Sequence, residues 1–232
     1  MNKVHINKPD KLKRTIVFLA LLMILFLGEG YAQADQVISG GNTVTSFVCA
    51  NRSAYTWGAG SNTPALVNFP GNINIKQVNS GSGTTFVAID CDGAVWAWGS
   101  NGYGQVGNGT TSAWVPDPVR VLASSGIASS NRNASGELIG ASVVYGGNVN
   151  CYAILNDGKL VAWGKNDTVG ANQPWEKQEG QLGDGTNVNK TSAVYVIDGT
   201  TGLPLQGVTK VFGGDNVTYA LVGSTVYSWG YG

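Results

Sequence analysis

The sequence predicts an all-β fold built from short strands and tight turns. Three observations predict it. Glycine supplies 34 of the 232 residues, about twice the usual share of roughly 7%. The chain is 43% hydrophobic and only 12% charged, which is too apolar for a disordered tail. Four segments repeat one pattern: a glycine-rich turn, an apolar strand, a polar turn, and a second strand ending in Trp-Gly. No window of about 11 or more residues after Ala34 carries helical periodicity.

Residues 1–34 read as a secretory signal peptide. Lys3, Lys8, Lys11, Lys13 and Arg14 make a basic start. Thr15 to Gly28 is an unbroken apolar run of fourteen residues, and Ala32-Gln33-Ala34 gives an A-x-A cleavage pattern before Asp35. Fourteen residues fall short of the about 20 a transmembrane helix needs, so no membrane span is expected after cleavage. No cysteine follows the apolar run before Cys49, which argues against a lipoprotein. Residues 35–232 are therefore expected in an extracellular or periplasmic compartment.

Removing residues 1–34 leaves 9 basic against 12 acidic residues, a net of −3, with no basic stripe. That balance excludes an electrostatic nucleic-acid binder. His5 is the only histidine. Its loss with the signal peptide excludes Ser-His-Asp and Cys-His chemistry within one chain. It also removes the usual imidazole ligands of zinc. Cys49, Cys91 and Cys151 form an odd set with no C-x-x-C. They read as small apolar residues. Export also permits a disulfide, and its pairing stays open.

The first repeat runs from Ser39-Gly40-Gly41 to Trp57-Gly58, and the second from Ser80 to Gly99. The third covers Tyr145 to Gly164 and the fourth Phe212 to Gly230. Trp57, Trp98, Trp163 and Trp229 are 41, 65 and 66 residues apart, and insertions fill the longer gaps. In the second repeat Phe86-Val87-Ala88-Ile89 makes the first strand and Ala94 to Trp98 the second. Asp92-Gly93 between them suits a two-residue hairpin turn with both residues at positive φ. Asp157-Gly158 and Lys159 to Trp163 restate the arrangement. Val95 and Ala97 oppose Trp96 and Trp98, so the hairpin offers one face to a core and the other to a neighbour. The four repeat tryptophans are expected to pack between strands.

A second signature follows Trp-Gly. It reads Ser100-Asn101-Gly102-Tyr103-Gly104-Gln105-Val106-Gly107-Asn108-Gly109 in the second repeat. In the third it reads Gly180-Gln181-Leu182-Gly183-Asp184-Gly185. Together with D-G-x-[LV]-x-x-W-G, this pattern resembles the regulator-of-chromosome-condensation repeat family over nearly all of residues 37–232. The resemblance implies a β-propeller of short antiparallel blades, in a ring that usually has about seven four-stranded blades. The chain departs from the family in carrying Thr85, Asn150 and Val217 where a histidine is usual. In the first repeat the matching position lies from Val44 to Ser46. At roughly 50 residues per blade, the 198 residues after Ala34 make about four blades. The fourth repeat stops inside its own signature, at Trp229-Gly230-Tyr231-Gly232. The expectation is an incomplete ring, either a fragment or an open arc closed by another chain, with self-association as its consequence.

Gly102-x-Gly104-x-x-Gly107 matches a dinucleotide fingerprint in letters only. That fingerprint needs a following helix, and Thr110 to Pro118 has two prolines and no helical pattern. No cofactor is expected. Asp90, Asp92, Asp157 and Asp184 could supply the carboxylate pair of a glycosidase. Asp92 and Asp157 sit at hairpin turns, however, and Asp184 lies in a Gly-Asp-Gly turn, so structural roles are expected. No calcium-loop motif is present, and no metal site is expected. Ala123 to Ala141 is rich in Ser, Asn, Ala and Gly and reads as a flexible surface loop. Asn166 to Glu179 interrupts the third signature and sets Trp175 among polar residues. Interfaces are enriched in Trp and Tyr. Trp175, Trp114 and Tyr103 are therefore the candidate partner-binding residues.

The functional expectation is an exported, non-enzymatic protein-interaction module that binds a protein or glycan partner through blade loops. Its sharper form is a secreted propeller-type enzyme inhibitor. A glycan hydrolase with paired carboxylates is the enzymatic alternative. Guanine-nucleotide exchange, which the resemblance implies for nuclear family members, runs against the export signal and the charge balance.

Overall fold

The structure is a computed structural model that describes residues 38–40, 43–58, 61–81, 83–166, 180–213 and 217–230. The expected signal peptide and Trp175 lie outside the described residues. The described strands form four antiparallel sheets, here called blades. Blade 1 holds β1 (Ile38–Gly40), β2 (Val44–Val48), β3 (Ala54–Gly58) and β4 (Ser61–Leu66). Blade 2 holds β5 (Ile75–Ser80), β6 (Thr85–Asp90), β7 (Val95–Asn101) and β8 (Ser112–Arg120). Blade 3 holds β9 (Ala141–Gly146), β10 (Asn150–Leu155), β11 (Leu160–Gly164) and β12 (Lys190–Tyr195). Blade 4 holds β13 (Val208–Gly213), β14 (Val217–Val222) and β15 (Thr225–Gly230). In each blade the spatial order follows the chain order. A 3₁₀ turn, Ser129–Asn131, is the only helical segment among the described residues.

The hairpins predicted from the repeats are β2–β3, β6–β7, β10–β11 and β14–β15. Their strands carry β-branched and aromatic side chains that suit a pleated, buried surface. The turns differ from the two-residue form expected. Gly93 N donates to Asp90 O, and Asp90 N donates to Ala94 O. Gly93 has φ +80° and Asp92 stays at negative φ. This is a type I turn closed by a glycine bulge, the three-residue hairpin connection. Leu155, Gly158 and Lys159 repeat it. One glycine at positive φ satisfies this geometry, so no second residue pays left-handed strain.

Val44, Thr85, Asn150 and Val217 are equivalent, because each pairs with the glycine of its Trp-Gly. That glycine has φ between +100° and +108° in all four blades. At Gly99 a Cβ would run into the carbonyl of Thr84, which explains the fixed glycine after tryptophan.

Three apolar clusters hold the blades together, one at each boundary. Val44, Val48 and Ala54 of blade 1 meet Phe86, Ala88, Trp96 and Trp98 of blade 2. Val87, Ile89, Val95 and Ala97 of blade 2 meet Ala153, Val161 and Trp163 of blade 3. Tyr152, Ile154 and Leu160 of blade 3 meet Val208, Val211 and Ala220 of blade 4. The middle blades are buried on both faces, so β6 and β10 are buried at every position. The predicted opposition of Val95 and Ala97 to Trp96 and Trp98 is therefore real, with each face meeting a different blade.

This arrangement sharpens the expectation for the repeat tryptophans. Trp98, Trp163 and Trp229 pack between the strands of neighbouring blades, each toward the preceding blade. Trp163 Nε1 donates to Gln105 O of blade 2 at 2.8 Å, and Trp229 Nε1 donates to Gln181 O of blade 3 at 2.7 Å. The two signatures thus bond across the blade 2–blade 3 and blade 3–blade 4 boundaries. Gly107 and Gly183 permit the approach. A Cβ on Gly183 would lie 2.7 Å from Trp229 Nε1, and one on Gly107 would lie 2.9 Å from Trp163 Cδ1.

The Ala123–Ala141 segment is also corrected. Ala123, Ile127, Leu138 and Ala141 are buried in the blade 2–blade 3 cluster. Bridges join Leu122 to Glu137 and Ala123 to Ala193. Arg120 anchors the segment through Glu137 at 3.4 Å and Asp90 at 3.6 Å. Four apolar residues dispersed among small polar ones were enough to dock it, because the boundary offered a prepared apolar surface.

Candidate functional site

Two buried asparagines shape the loop that follows the third strand of blades 2 and 3. Asn101 Oδ1 accepts from Val106 N at 3.0 Å, and its Nδ2 donates to Thr110 O at 3.2 Å. Asn166 does the same with Leu182 N at 2.8 Å and Thr186 O at 2.9 Å. Gly104 N donates to Asn101 O, and Gly180 N donates to Asn166 O. The loops are therefore equivalent. In sequence, Gly102 and Tyr103 of blade 2 correspond to residues 167–179, which lie outside the described residues.

Tyr103 lies at the tip of this loop and is 41% exposed. Lys165 Nζ lies 5.2 Å from its ring centroid. Trp114, on the outer strand β8, pairs with Ser100 and is 46% exposed. The structure thus places Tyr103 and Trp114 at the same end of blade 2. Trp175, the third candidate, lies outside the described residues. The described residues that flank its segment, Asn166 and Gly180, are the blade 3 counterparts of Asn101 and Gly104.

The aspartates are engaged within the fold. Asp90 is buried and accepts from Asp92 N, Ala94 N and Trp96 Nε1. Asp184 accepts from Asn166 Nδ2 and Thr186 N and pairs with Lys190 at 3.1 Å. Asp157 pairs with Lys159 at 2.7 Å and accepts from Asn131. Partial burial pushes its carboxyl up, but these hydrogen bonds outweigh burial and hold it below the usual value. The Gly102–Gly107 segment runs from strand β7 toward strand β8, and its glycines serve the turn and the Trp163 contact. Among the described residues no group of three or more His, Cys, Asp or Glu could hold a metal ion. No described helix is long and apolar enough to cross a membrane. All three cysteines are free thiols.

Sequence reasoning missed two features. The inner strands of all four blades line a cleft of about 420 Å³, where Gly40, Gly81, Gly146 and Gly213 converge. The glycines that open each repeat were its signal. Asn150, at the family's histidine position, is buried with neither amide atom hydrogen-bonded among the described residues.

Two models of the regulator of chromosome condensation (RCC1) repeat match the chain, at residues 75–105 and 92–131. Both matches fall on blade 2 and the segment that follows it. Residues 75–131 carry RCC1-type repeats, and the chain shares the fold of RCC1-type β-propellers. Solved RCC1-type structures share its fold. Human WBSCR16 aligns with a TM-score of 0.63 at 21% identity, over 88% of this chain and 49% of that one. Yeast RCC1 (Prp20), solved bound to Kap60, aligns with a TM-score of 0.59 at 20% identity, over 82% of this chain and 40% of that one. Among curated proteins, the human E3 ubiquitin-protein ligase HERC2 is 27% identical over 194 residues, covering 78% of this chain and 3% of the ligase. The probable human E3 ubiquitin-protein ligase HERC6 is 29% identical over 157 residues, covering 60% of this chain and 15% of that protein. The chain therefore spans a small part of these ligases and less than half of either solved relative.

Proposed function

We propose that this RCC1-repeat chain is an exported, non-enzymatic interaction module whose blade-edge loops bind a protein partner. The observation that carries the reading is the pair Tyr103 and Trp114. Both are large, exposed and set at one end of blade 2, Tyr103 on a loop rigidified by Asn101 and Trp114 on strand β8. Rigid aromatic side chains give contact area at low entropic cost, and they dominate binding energies at interfaces. Lys165 beside Tyr103 adds a positive charge to the edge. Trp175 enters the proposal as a further contact by its residue type and its place in the sequence after Asn166, the counterpart of Asn101. A relative in fold supports a protein partner: Prp20p of Saccharomyces cerevisiae binds Gsp1p and histones. Engagement of Asp90, Asp157 and Asp184 in structural bonds supports a non-enzymatic role. Export rests on the basic start, the apolar run and the A-x-A pattern of residues 1–34.

The test is affinity capture from the extracellular or envelope fraction of the producing cells. The unmodified protein should retain a specific partner. The Tyr103→Ala/Trp114→Ala double variant should lose most of it while keeping an unchanged melting temperature. Equal capture by both proteins would overturn the assignment of this edge. An intact mass near the full 24.1 kDa in every fraction would overturn export with signal cleavage.

A further inference from the structure

We infer that the cleft between the inner strands binds a neutral ligand carrying a primary carboxamide, and that Asn150 is the group that recognises it. The cleft holds about 420 Å³, within the range of about 300–1,000 Å³ usual for small-molecule sites. The inner strands meet there through register-equivalent residues. Ser39, Asn79, Tyr145 and Phe212 share one position, and Gly40, Ser80, Gly146 and Gly213 share the next. The lining residues include no Lys, Arg, Asp, Glu or His. A charged ligand would lose water there without gaining a counter-charge, so the occupant is neutral.

Other polar side chains at the cleft are engaged within the fold. Ser39 Oγ accepts from Ser80 N and donates to Ser80 O, and Asn79 Oδ1 accepts from Gly146 N. Asn150 is different. It is 1% exposed, and neither Oδ1 nor Nδ2 has a hydrogen bond among the described residues. Its amide is turned toward the cleft wall: a Cβ on Gly147 would run into Oδ1, and one on Gly213 would lie 3.9 Å from it. Gly146, Gly147 and Gly213 put no side chain of their own between the amide and the cleft. The place lies at the boundary between blades 3 and 4, inside the described fold.

The fold does not require an amide at this position. Blades 1 and 4 have Val44 and Val217 there, and blade 2 has Thr85, whose hydroxyl donates to Ser100 O. A buried amide without partners lowers stability, and a local cost that serves no packing need marks a functional position. Oδ1 accepts and Nδ2 donates side by side. A primary carboxamide, the head group of glutamine and asparagine, satisfies both at once. To reach them the ligand displaces the glycine backbone at the rim. The site is separate from the Tyr103–Trp114 edge and does not depend on it.

The experiment is a titration of the purified protein with N-acetyl-L-glutamine methylamide, followed by two-dimensional NMR. The glutamate and methionine counterparts and adenosine are the comparison ligands. The glutamine compound should bind with Kd on the order of 1 mM. The charged glutamate and apolar methionine compounds should bind at least about tenfold more weakly. Asn150→Val should weaken binding of the glutamine compound at least about tenfold, with a melting temperature unchanged or higher. The Tyr103→Ala/Trp114→Ala double variant should bind it as the unmodified protein does, which separates failure here from failure of the partner edge. Absence of binding by the glutamine compound overturns the inference. So does equal binding by all three compounds, or by Asn150→Val. Adenosine offers the same donor–acceptor edge through its base, and tighter binding of adenosine would overturn the assignment to a carboxamide.

Discussion

Replacing Trp163 with phenylalanine removes the indole N–H that Gln105 O accepts at 2.8 Å. Trp163 is fully buried at the boundary between blades 2 and 3. A buried acceptor left without its donor costs about 1–3 kcal/mol. The smaller ring also leaves a void of roughly 30–40 Å³, which at about 24 cal/mol per Å³ adds on the order of 1 kcal/mol. The expected loss is about 2–4 kcal/mol, a large share of the about 5–15 kcal/mol that holds a domain folded. Urea unfolding followed by circular dichroism measures it without relying on the altered fluorescence. The contact has a second partner, which permits a sharper test. Gly107 has φ +70°, and a Cβ there would lie 2.9 Å from Trp163 Cδ1. Gly107→Ala alone should therefore destabilise by backbone strain and by the clash. In a Trp163→Ala background the ring is gone and only the contact with Val121 Cγ1 at 2.9 Å remains, so the double variant should be more stable than the sum by at least about 0.5 kcal/mol. A single-variant loss below about 0.5 kcal/mol, or strict additivity, would refute the claim that the two signatures are coupled across the boundary.

Three further outcomes follow from the same structure. Asn150→Val should leave stability unchanged or raise it by about 1 kcal/mol, because it removes an unpaired buried amide and installs the residue that Val44 and Val217 provide in equivalent places. Loss of more than about 1 kcal/mol would show that the amide has a partner in the folded protein. In native alkylation monitored by peptide mass spectrometry, exposed Cys91 should label rapidly and buried Cys151 only on unfolding. Burial pushes the Cys151 thiol far up, so stability should also fall as pH rises above about 9, where the unfolded chain alone forms thiolate. Asp157 acts in the opposite direction. Its folded carboxyl is held below its ordinary value, so its contribution is present above that ordinary value and lost as pH falls through the folded value. The stability gap between the unmodified protein and Asp157→Asn should close on acidification from pH about 6 to about 2, and a constant gap would contradict this.

The parts of the fold that were legible in the sequence are those fixed by neighbours in the chain. Phe86–Ile89, Asp92-Gly93 and Ala94–Trp98 announce a hairpin because strand, turn and strand are contiguous. The inner and outer strands were harder to see. Gln77 and Asn79 look too polar for a buried strand, yet Gln77 exchanges hydrogen bonds with Val144 and Asn79 Oδ1 accepts from Gly146 N. Both partners are 67 residues away. β8 contains Pro116 and Pro118, which argue against a central strand but suit an outer edge. Tyr103 and Trp114 were legible as candidates by residue type. Their shared position at one end of blade 2 was not, because it follows from the pairing of Ser100 with Trp114.

The sequence by itself determined the repeated unit: a glycine-closed hairpin, a tryptophan locked before a glycine at positive φ, and a Gly-Gln-x-Gly turn after it. Each feature is set by backbone conformation within a few residues. Only the tertiary structure decided what those units do to one another. Trp163 reaches Gln105 and Trp229 reaches Gln181 across blade boundaries, 58 and 48 residues back along the chain. The Ala123–Ala141 segment becomes part of a core for the same reason. These outcomes depend on stacking of whole sheets, where burial is conferred by a neighbouring blade and leaves no periodic mark on the strand it covers.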